Sequence, residues 1–544
     1  MKLIKMLTMA VMSGGLVACV TADKLEREAT QEAVSAASVN FLDLPFSTTT
    51  EHKDSPTTEG VNNLFDGDKG SKFLAMHKSA WVIFNTQKPK VLSSYQVTSA
   101  GDAPGRDPKE WILEASNDDT HWTTIDTRGE QKFNGRGVTN EYQIAGNTTK
   151  YSQYRYHFTQ TKPTTWGDTY LQIAELELRG ITKEPVAQFS ASATKVKFDQ
   201  EISFKDESPN SPTEWHWTFE NATPATSNER NPKVVFNKPG GHDVSLTVKN
   251  KFGAHTKLNK RFVVSYDPAN PWQGFHYPKV ILAHQDTNSE GFKRVNRIVP
   301  DLIGAINEVS LEVCKNLYRN ITEVPEFDTV TFQYNWSDVL AARGGSGKNM
   351  QLYFSTRYLQ YALADQPDDA VKYEIYGVFW HELVHGYQSQ PETIKDLYAS
   401  GHDYYAFLEG VADLVRIRGR HHLTRSPDTG SINRQTQVND RYLSGYTTTG
   451  FFLNWIADNY DSEFTYKFNQ SPLKIKPWSF KVAIKDILNE DVDDLWSKYT
   501  VYVEQYNKKH PNKRLKLPEW KGKSKVLTNH RNMKNENRAR SNKN

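Results

Sequence analysis

His381, Glu382 and His385 stand in the run Val378-Phe379-Trp380-His381-Glu382-Leu383-Val384-His385-Gly386-Tyr387-Gln388. Two histidines four apart on a helix stack on one face, one turn above the other. Imidazoles so placed can share one tetrahedral zinc ion and leave positions for a third protein ligand and a water. Glu382 comes from the same turn and can reach that water without binding the metal, which suits it to act as general base. A third ligand is available downstream. The run Phe407-Leu408-Glu409-Gly410-Val411-Ala412-Asp413-Leu414-Val415 carries two carboxylates four apart among apolar residues, where unpaired charges are costly to bury. Glu409 follows His385 by 24 residues, room for a loop and a returning helix. Asp413, one turn on, can accept a hydrogen bond from the free ring nitrogen of a ligating histidine, fixing its tautomer and raising its basicity.

These residues need two helices held side by side. Val371 to Gln390, stopped by Pro391, is expected to be the first, and Tyr404 to Arg418 the second. Upstream, Gly291 to Asn320 carries apolar residues at helical spacing, with Pro300 marking a break. Asp328 to Tyr334 and Asn349 to Ser355 alternate as strands. Gly344-Gly345-Ser346-Gly347 reads as a turn before the second of them, which makes Asn349 to Ser355 the expected edge strand, open to an extended substrate.

His-Glu-x-x-His followed by Glu-x-x-x-Asp resembles the gluzincin layout. Phe407 to Arg416, together with Gly445-Tyr446-Thr447-Thr448-Thr449-Gly450-Phe451-Phe452-Leu453 and the helix through Trp455, is similar to the plant basic secretory protein family of peptidases. The resemblance places an α+β zincin-type peptidase domain at residues 275–510. It implies zinc bound by His381, His385 and Glu409, with Glu382 as the base in hydrolysis of peptide bonds of extracellular proteins or glycoproteins. Tyr446 is the candidate for stabilising the oxyanion. A core tyrosine is the alternative reading, and His402, His421 and His422 compete for the role. A hydrolase acting on a non-peptide bond has the same metal requirements.

Ahead of this domain the pattern is β. In 41–181, short runs such as Ser79-Ala80-Trp81-Val82-Ile83-Phe84, Ser94 to Thr98 and Trp111 to Ser116 alternate between turn signals, as strands of a β-sandwich do. Asn63 to Asp68, Asp107 to Trp111, Ala115 to Asp119 with Trp122, and Leu171 to Leu178 together resemble the F5/8 type C (discoidin) family. That resemblance implies a jelly roll binding a glycan or cell-surface ligand. Members of the family hold calcium near the first signature, where Asp66 and Glu175 offer carboxylate oxygens suited to a hard cation; Asp66-Gly67 also reads as a plain turn. Trp166-Gly167-Asp168 offers an aromatic platform or a piece of core. Residues 185–265 carry Ala187 to Ala191, Ile202 to Phe204, Trp215 to Phe219, Lys233 to Phe236 and Asp243 to Val248, and resemble a PKD domain, an immunoglobulin-like spacer. The fold class expected is thus multidomain: jelly-roll β-sandwich, Ig-like β-sandwich, then the α+β metallopeptidase domain.

Met1-Lys2-Leu3-Ile4-Lys5 and a short apolar run lead to Leu16-Val17-Ala18-Cys19, which resembles a bacterial lipobox. Residues 1–19 then form a lipoprotein signal with acylated Cys19, and 20–40 a tether. Cleavage after Ala22 is the alternative. The lipobox reading makes the protein exported and lipid-anchored at the bacterial envelope, at the outer membrane or cell surface. Cys314 is the one other cysteine, so acylation of Cys19 leaves no disulfide. The net charge of +3 conceals a basic tail, 511–544, with eleven Lys or Arg against two Glu. A solvated end is the simpler reading than an anion-binding one. The body lacks a basic stripe, which argues against specific nucleic-acid binding. One further reading of the whole is a glycan-binding surface adhesin whose peptidase-like domain is catalytically silent.

Overall fold

Over much of residues 80–98 buried side chains alternate with more exposed ones, as in a strand with one covered face. The run forms a single 19-residue strand, Ala80–Thr98, in the computed structural model. The structure describes residues 37–56, 58–162, 170–391, 398–421 and 441–509. They divide into two compact units, one holding most of the chain up to Val263 and the other the remainder. Cys19 and the rest of the signal, Trp166-Gly167-Asp168, His422 and the basic tail lie outside the described residues.

The first half of the long strand pairs with Phe46–Thr50 and Tyr151–Thr161, and its second half with Thr139–Gln143 and Glu175–Thr182. One strand thus serves two parts of an eight-stranded sheet wrapped on an aromatic core of Tyr95, Trp111, Tyr154, Tyr156 and Phe84. Buried polar tips need partners. Trp111 Nε1 donates to Tyr95 Oη at 2.8 Å, and Tyr95 Oη donates to Asp126 at 2.7 Å. One boundary differs from the sequence reading. Ala37–Asn40, expected to close the 20–40 tether, is a strand paired with Arg179 to Thr182, and it buries Val39. The ladder and one apolar side chain hold these four residues to the sandwich.

In the second β-module Glu201–Asp206 lies between Phe189–Ala191 and Lys233–Phe236. Glu214–Phe219 pairs with the strand Gly240–Asn250, setting Trp217 opposite Leu246. Trp217, Phe204 and Phe219 meet in its core, and the Trp217 indole donates to the Glu229 carbonyl at 2.9 Å. This is the expected Ig-like arrangement.

The last domain has a four-stranded sheet made of β1 (Lys279–Ala283), β2 (Thr329–Asn335), β3 (Ala341–Ser346) and β4 (Asn349–Ser355). The order is β1-β2-β4-β3, with β1, β2 and β4 parallel and β3 antiparallel to β4. The edge is therefore β3, not Asn349–Ser355 as the sequence reading had it. Gly344 and Gly345 belong to the ladder, with Gly345 at φ +96° where its neighbour strand passes too closely for a Cβ. Glycine-rich sequence reads as a turn because nothing local distinguishes a glycine bent inside an edge strand.

Helices α1 (Glu290–Ile298) and α2 (Leu302–Leu317) are separated at Val299-Pro300, as the proline requires. Cys314 is buried in α2 with a free thiol. Helix α3 (Asp368–Tyr387) is buried on nearly all sides, packed on β3, β4, α2 and α4 (Asp403–Arg418). A helix without a wet face carries few polar residues, so His381, Glu382 and His385 stand out within it. Helix α5 (Tyr446–Asn459) closes over α4 through small residues. A Cβ on Gly450 would lie 2.8 Å from the Asp413 Cβ, and one on Gly410 only 2.4 Å from Thr449. Helices α6 (Phe464–Lys474), α7 (Phe480–Leu488) and α8 (Val492–Lys509) complete the α+β domain. Among the described residues no helix is long and apolar enough to cross a membrane.

Candidate metal centre and active site

Helix α3 supplies His381 and His385 from one stripe, and α4 presents Glu409 and Asp413 from one face. Each is at most 8% exposed. His381 Nε2 lies 3.1 Å from Glu409 Oε2 and 3.2 Å from His385 Nε2; His385 Nε2 lies 3.5 Å from the same Glu409 oxygen. A tetrahedral ion with bonds of about 2.0–2.1 Å has ligand–ligand edges of about 3.3–3.4 Å. The three atoms are thus spaced as one face of such a tetrahedron would be. Among the described residues this is the group of three or more His, Cys, Asp or Glu side chains that can hold a metal ion.

The surrounding hydrogen bonds fit a metal as well. His381 Nδ1 donates to Asp413 Oδ1 at 2.8 Å, which leaves Nε2 free to bind an ion. Gln388 Nε2 sits 3.1 Å from His385 Nδ1, while Gln388 Oε1 is buried without a partner. Turning this amide over makes Oε1 the acceptor for His385 Nδ1–H, the tautomer a metal on Nε2 demands. Tyr398 donates its hydroxyl to Glu409 Oε1, leaving Oε2 for the cluster. Burial alone would lower the His381 pKa; hydrogen bonds to Asp413 and Glu409 outweigh it and push the value up to about 10. Burial would raise that of Glu409, but the two imidazoles bring it down to about 2. The opposed directions show that the imidazole and the carboxylate stabilise each other's charge, so a metal ion binding here would compete with a proton.

Glu382 is buried beside the cluster, and burial raises its carboxyl above the ordinary range against the opposing effect of His381 and His385. Tyr446 opens α5 and lays its ring parallel to that of His381, with centroids 5.6 Å apart. Burial holds its phenol far above its usual pKa, so it stays a neutral donor. Gly445 makes this approach feasible: it adopts φ +77°, and a Cβ there would strike the Tyr405 ring and crowd Glu409. The competing histidines separate. His421 stacks on Tyr373, Tyr376 and Trp380, a stripe on another side of α3. His402 is the N-cap residue of α4, about two turns before Glu409. Sequence reasoning missed Gln388 and Tyr398. Gln388 follows His385 at i+3, a spacing that places it on the same helical face; Tyr398 arrives from a connection that leaves no local signal.

In the first sandwich Asp66 and Glu175 converge. Asp66 Oδ1 accepts from the Asp68 amide at 2.8 Å and Oδ2 from the Ser71 hydroxyl at 2.9 Å. Glu175 is buried with Oε1 unpartnered. Burial, then contact with Asp66, pushes its carboxyl up to about 8. A carboxyl buried beside a second one is favoured by a proton on Glu175 or by a cation between the two groups.

Three family models match the chain. Residues 277–499 match the family described as peptidase of plants and bacteria, 182–265 a PKD domain, and 46–176 an F5/8 type C domain. The protein is thus a multidomain chain in which a discoidin-like β-sandwich and a PKD domain precede an α+β peptidase-family domain.

More particular likenesses are partial. The chain is 32% identical over 119 residues to the peptide-N(4)-(N-acetyl-β-glucosaminyl)asparagine amidase of Arabidopsis thaliana, covering 21% of this chain and 16% of that relative's length. An F5/8 type C domain from Bacteroides fragilis matches at 16% identity and TM-score 0.23, over 27% of this chain and 97% of its own. A family 32 carbohydrate-binding module from Clostridium perfringens, solved with galactose, matches at 11% identity and TM-score 0.22, over 26% and 99% respectively.

Proposed function

We propose that the protein is a zinc-dependent metallopeptidase hydrolysing peptide bonds of extracellular proteins or glycoproteins. The observation that carries this reading is the convergence of His381 Nε2, His385 Nε2 and Glu409 Oε2 at tetrahedral-edge spacing beside buried Glu382. It occurs within a stretch that matches a peptidase family. Nitrogen and carboxylate ligands in this number suit zinc, which supplies Lewis acidity toward the scissile carbonyl and acidifies an attacking water. Glu382 takes the proton of that water and delivers it to the leaving amine. Asp413 and Gln388 hold the imidazoles in orientation, and Tyr398 holds Glu409. Tyr446 donates its phenol proton toward the oxyanion. The test is cleavage of a peptide and glycoprotein library by the zinc-loaded chain. N-glycopeptides are included so that the glycan–asparagine amide is scored too. Cleavage of peptide bonds, abolished by chelation, is expected. A glycan-array signal without any hydrolysis contradicts the reading and favours the adhesin.

In the same reading the F5/8 type C module binds a glycan or cell-surface ligand, and calcium occupies the Asp66–Glu175 pair in place of a proton on Glu175. Calcium at millimolar concentration is then expected to raise the unfolding midpoint of this sandwich by a few degrees in wild type and not in Glu175→Gln. An equal shift in both chains, measured by calorimetry, counts against it. Acylation of Cys19 anchors the chain to a bacterial envelope membrane. Mass spectrometry of the mature N-terminus is expected to find lipidated Cys19; a chain beginning at Asp23 contradicts the anchor.

A further inference from the structure

We infer that Arg343, on the edge strand β3, is the group that binds a carboxylate of the substrate next to the scissile bond. This deepens the hydrolase reading and rests on it. Arg343 lies directly opposite Leu352 of β4, and residues opposed across a ladder face the same side of the sheet. That side is the one covered by α3. Met350, Leu352 and Phe354 of β4 are buried on it, and Met350 packs so tightly under Gly386 of α3 that a Cβ there would sit 1.9 Å from its terminal carbon. Arg343 therefore projects from the free edge of the sheet beneath the helix that carries the His-Glu-x-x-His residues. The charged and titratable groups felt by its guanidinium are Glu382 on α3 and Tyr404 on α4.

The chemistry of this position is unusual within the molecule. Arg343 Nε is buried with no partner, and no hydrogen bond or ion pair joins the guanidinium to any described residue. Arg179 also has a buried Nε without a partner, but its guanidinium is paired with Glu177; other arginines set into the fold are satisfied. Arg136 is paired with Asp107, Arg416 with Glu374 and the His421 carbonyl, and Arg294 with the carbonyls of Leu359, Leu363 and Gln366. Arg343 as a whole is half-buried, with its Nε cut off from solvent; a guanidinium stays charged even when partly desolvated, and shielding part of a charge that has no partner is unfavourable. Here the position is at the wall of the proposed active site and on the strand to which an extended peptide can add. A planar carboxylate is the group that matches the guanidinium fork with two parallel hydrogen bonds. The carboxylate can be a substrate's C-terminus or an Asp or Glu side chain flanking the cleaved bond.

The test uses the zinc-loaded full chain and matched peptides in three forms. One ends in a free acid, one in an amide, and one carries Asn and Gln in place of Asp and Glu around the cleavage point. Wild type is expected to favour carboxylate over neutral peptide by about tenfold or more in kcat/KM, the scale of a charge-assisted bond. The preference should lie mainly in KM. The arm that loses the preference, amide or Asn/Gln, identifies the source of the carboxylate. Arg343→Gln is expected to bring the ratio to about one, and Arg343→Lys to restore part of it. The same ratio is read as equilibrium binding in the Glu382→Gln background, so the inference is tested apart from turnover. A wild type indifferent to carboxylates, or an unchanged ratio in Arg343→Gln, overturns it. Absence of cleavage with the binding preference intact overturns the peptidase reading alone.

Discussion

Glu382→Gln is expected to keep its zinc and lose turnover by roughly 1,000-fold, within the range that general acid–base groups contribute. Glu382 is buried beside the cluster, but its oxygens are not among the three atoms at tetrahedral-edge spacing. The amide is of the same size, so the packing of α3 on the sheet is retained. What it lacks is the ability to take a proton from water and return it to an amine. The measurement is kcat alongside zinc content for both proteins. Wild-type kcat in the variant would remove Glu382 from the mechanism, and loss of zinc would make it a ligand instead.

Glu409→Ala has the complementary signature. Its carboxylate would supply one of three ligand atoms in the proposed centre and is also the acceptor for Tyr398. Removing it leaves two imidazoles, so zinc content at submicromolar free zinc should fall below about one-tenth of wild type, and activity with it. Asp413→Asn, which changes the His381 contact and no ligand, is expected to weaken zinc by about 10–100-fold. Chelator competition ranks the three proteins. Equal affinity in wild type and Glu409→Ala would move the third ligand elsewhere.

Much of this site is legible in the chain because helical spacing is a short-range code. His381 with His385, and Glu409 with Asp413, each read as one face, and buried carboxylates in an apolar helix require a partner. The alternating runs of both sandwiches are legible for the same reason, at period two. What escapes is set by tertiary contacts. β3 begins Ala341-Ala342-Arg343 and continues into glycines, so it gains strand character only from its pairing with β4. Ala37–Asn40 is fixed by a partner more than a hundred residues away. Tyr398 meets Glu409 through a connection rather than a periodic face. Tyr446 is placed by Gly445, whose positive φ and close approach to Tyr405 appear only once α4 and α5 are packed.

The most direct measurement is a zinc titration of the chelator-stripped protein, following cleavage of one peptide found in the library. Activity is expected to rise linearly and stop at one zinc per chain. Full cleavage by the stripped protein, or none at one bound zinc, would contradict the assignment of His381, His385 and Glu409 as the centre of a zinc peptidase.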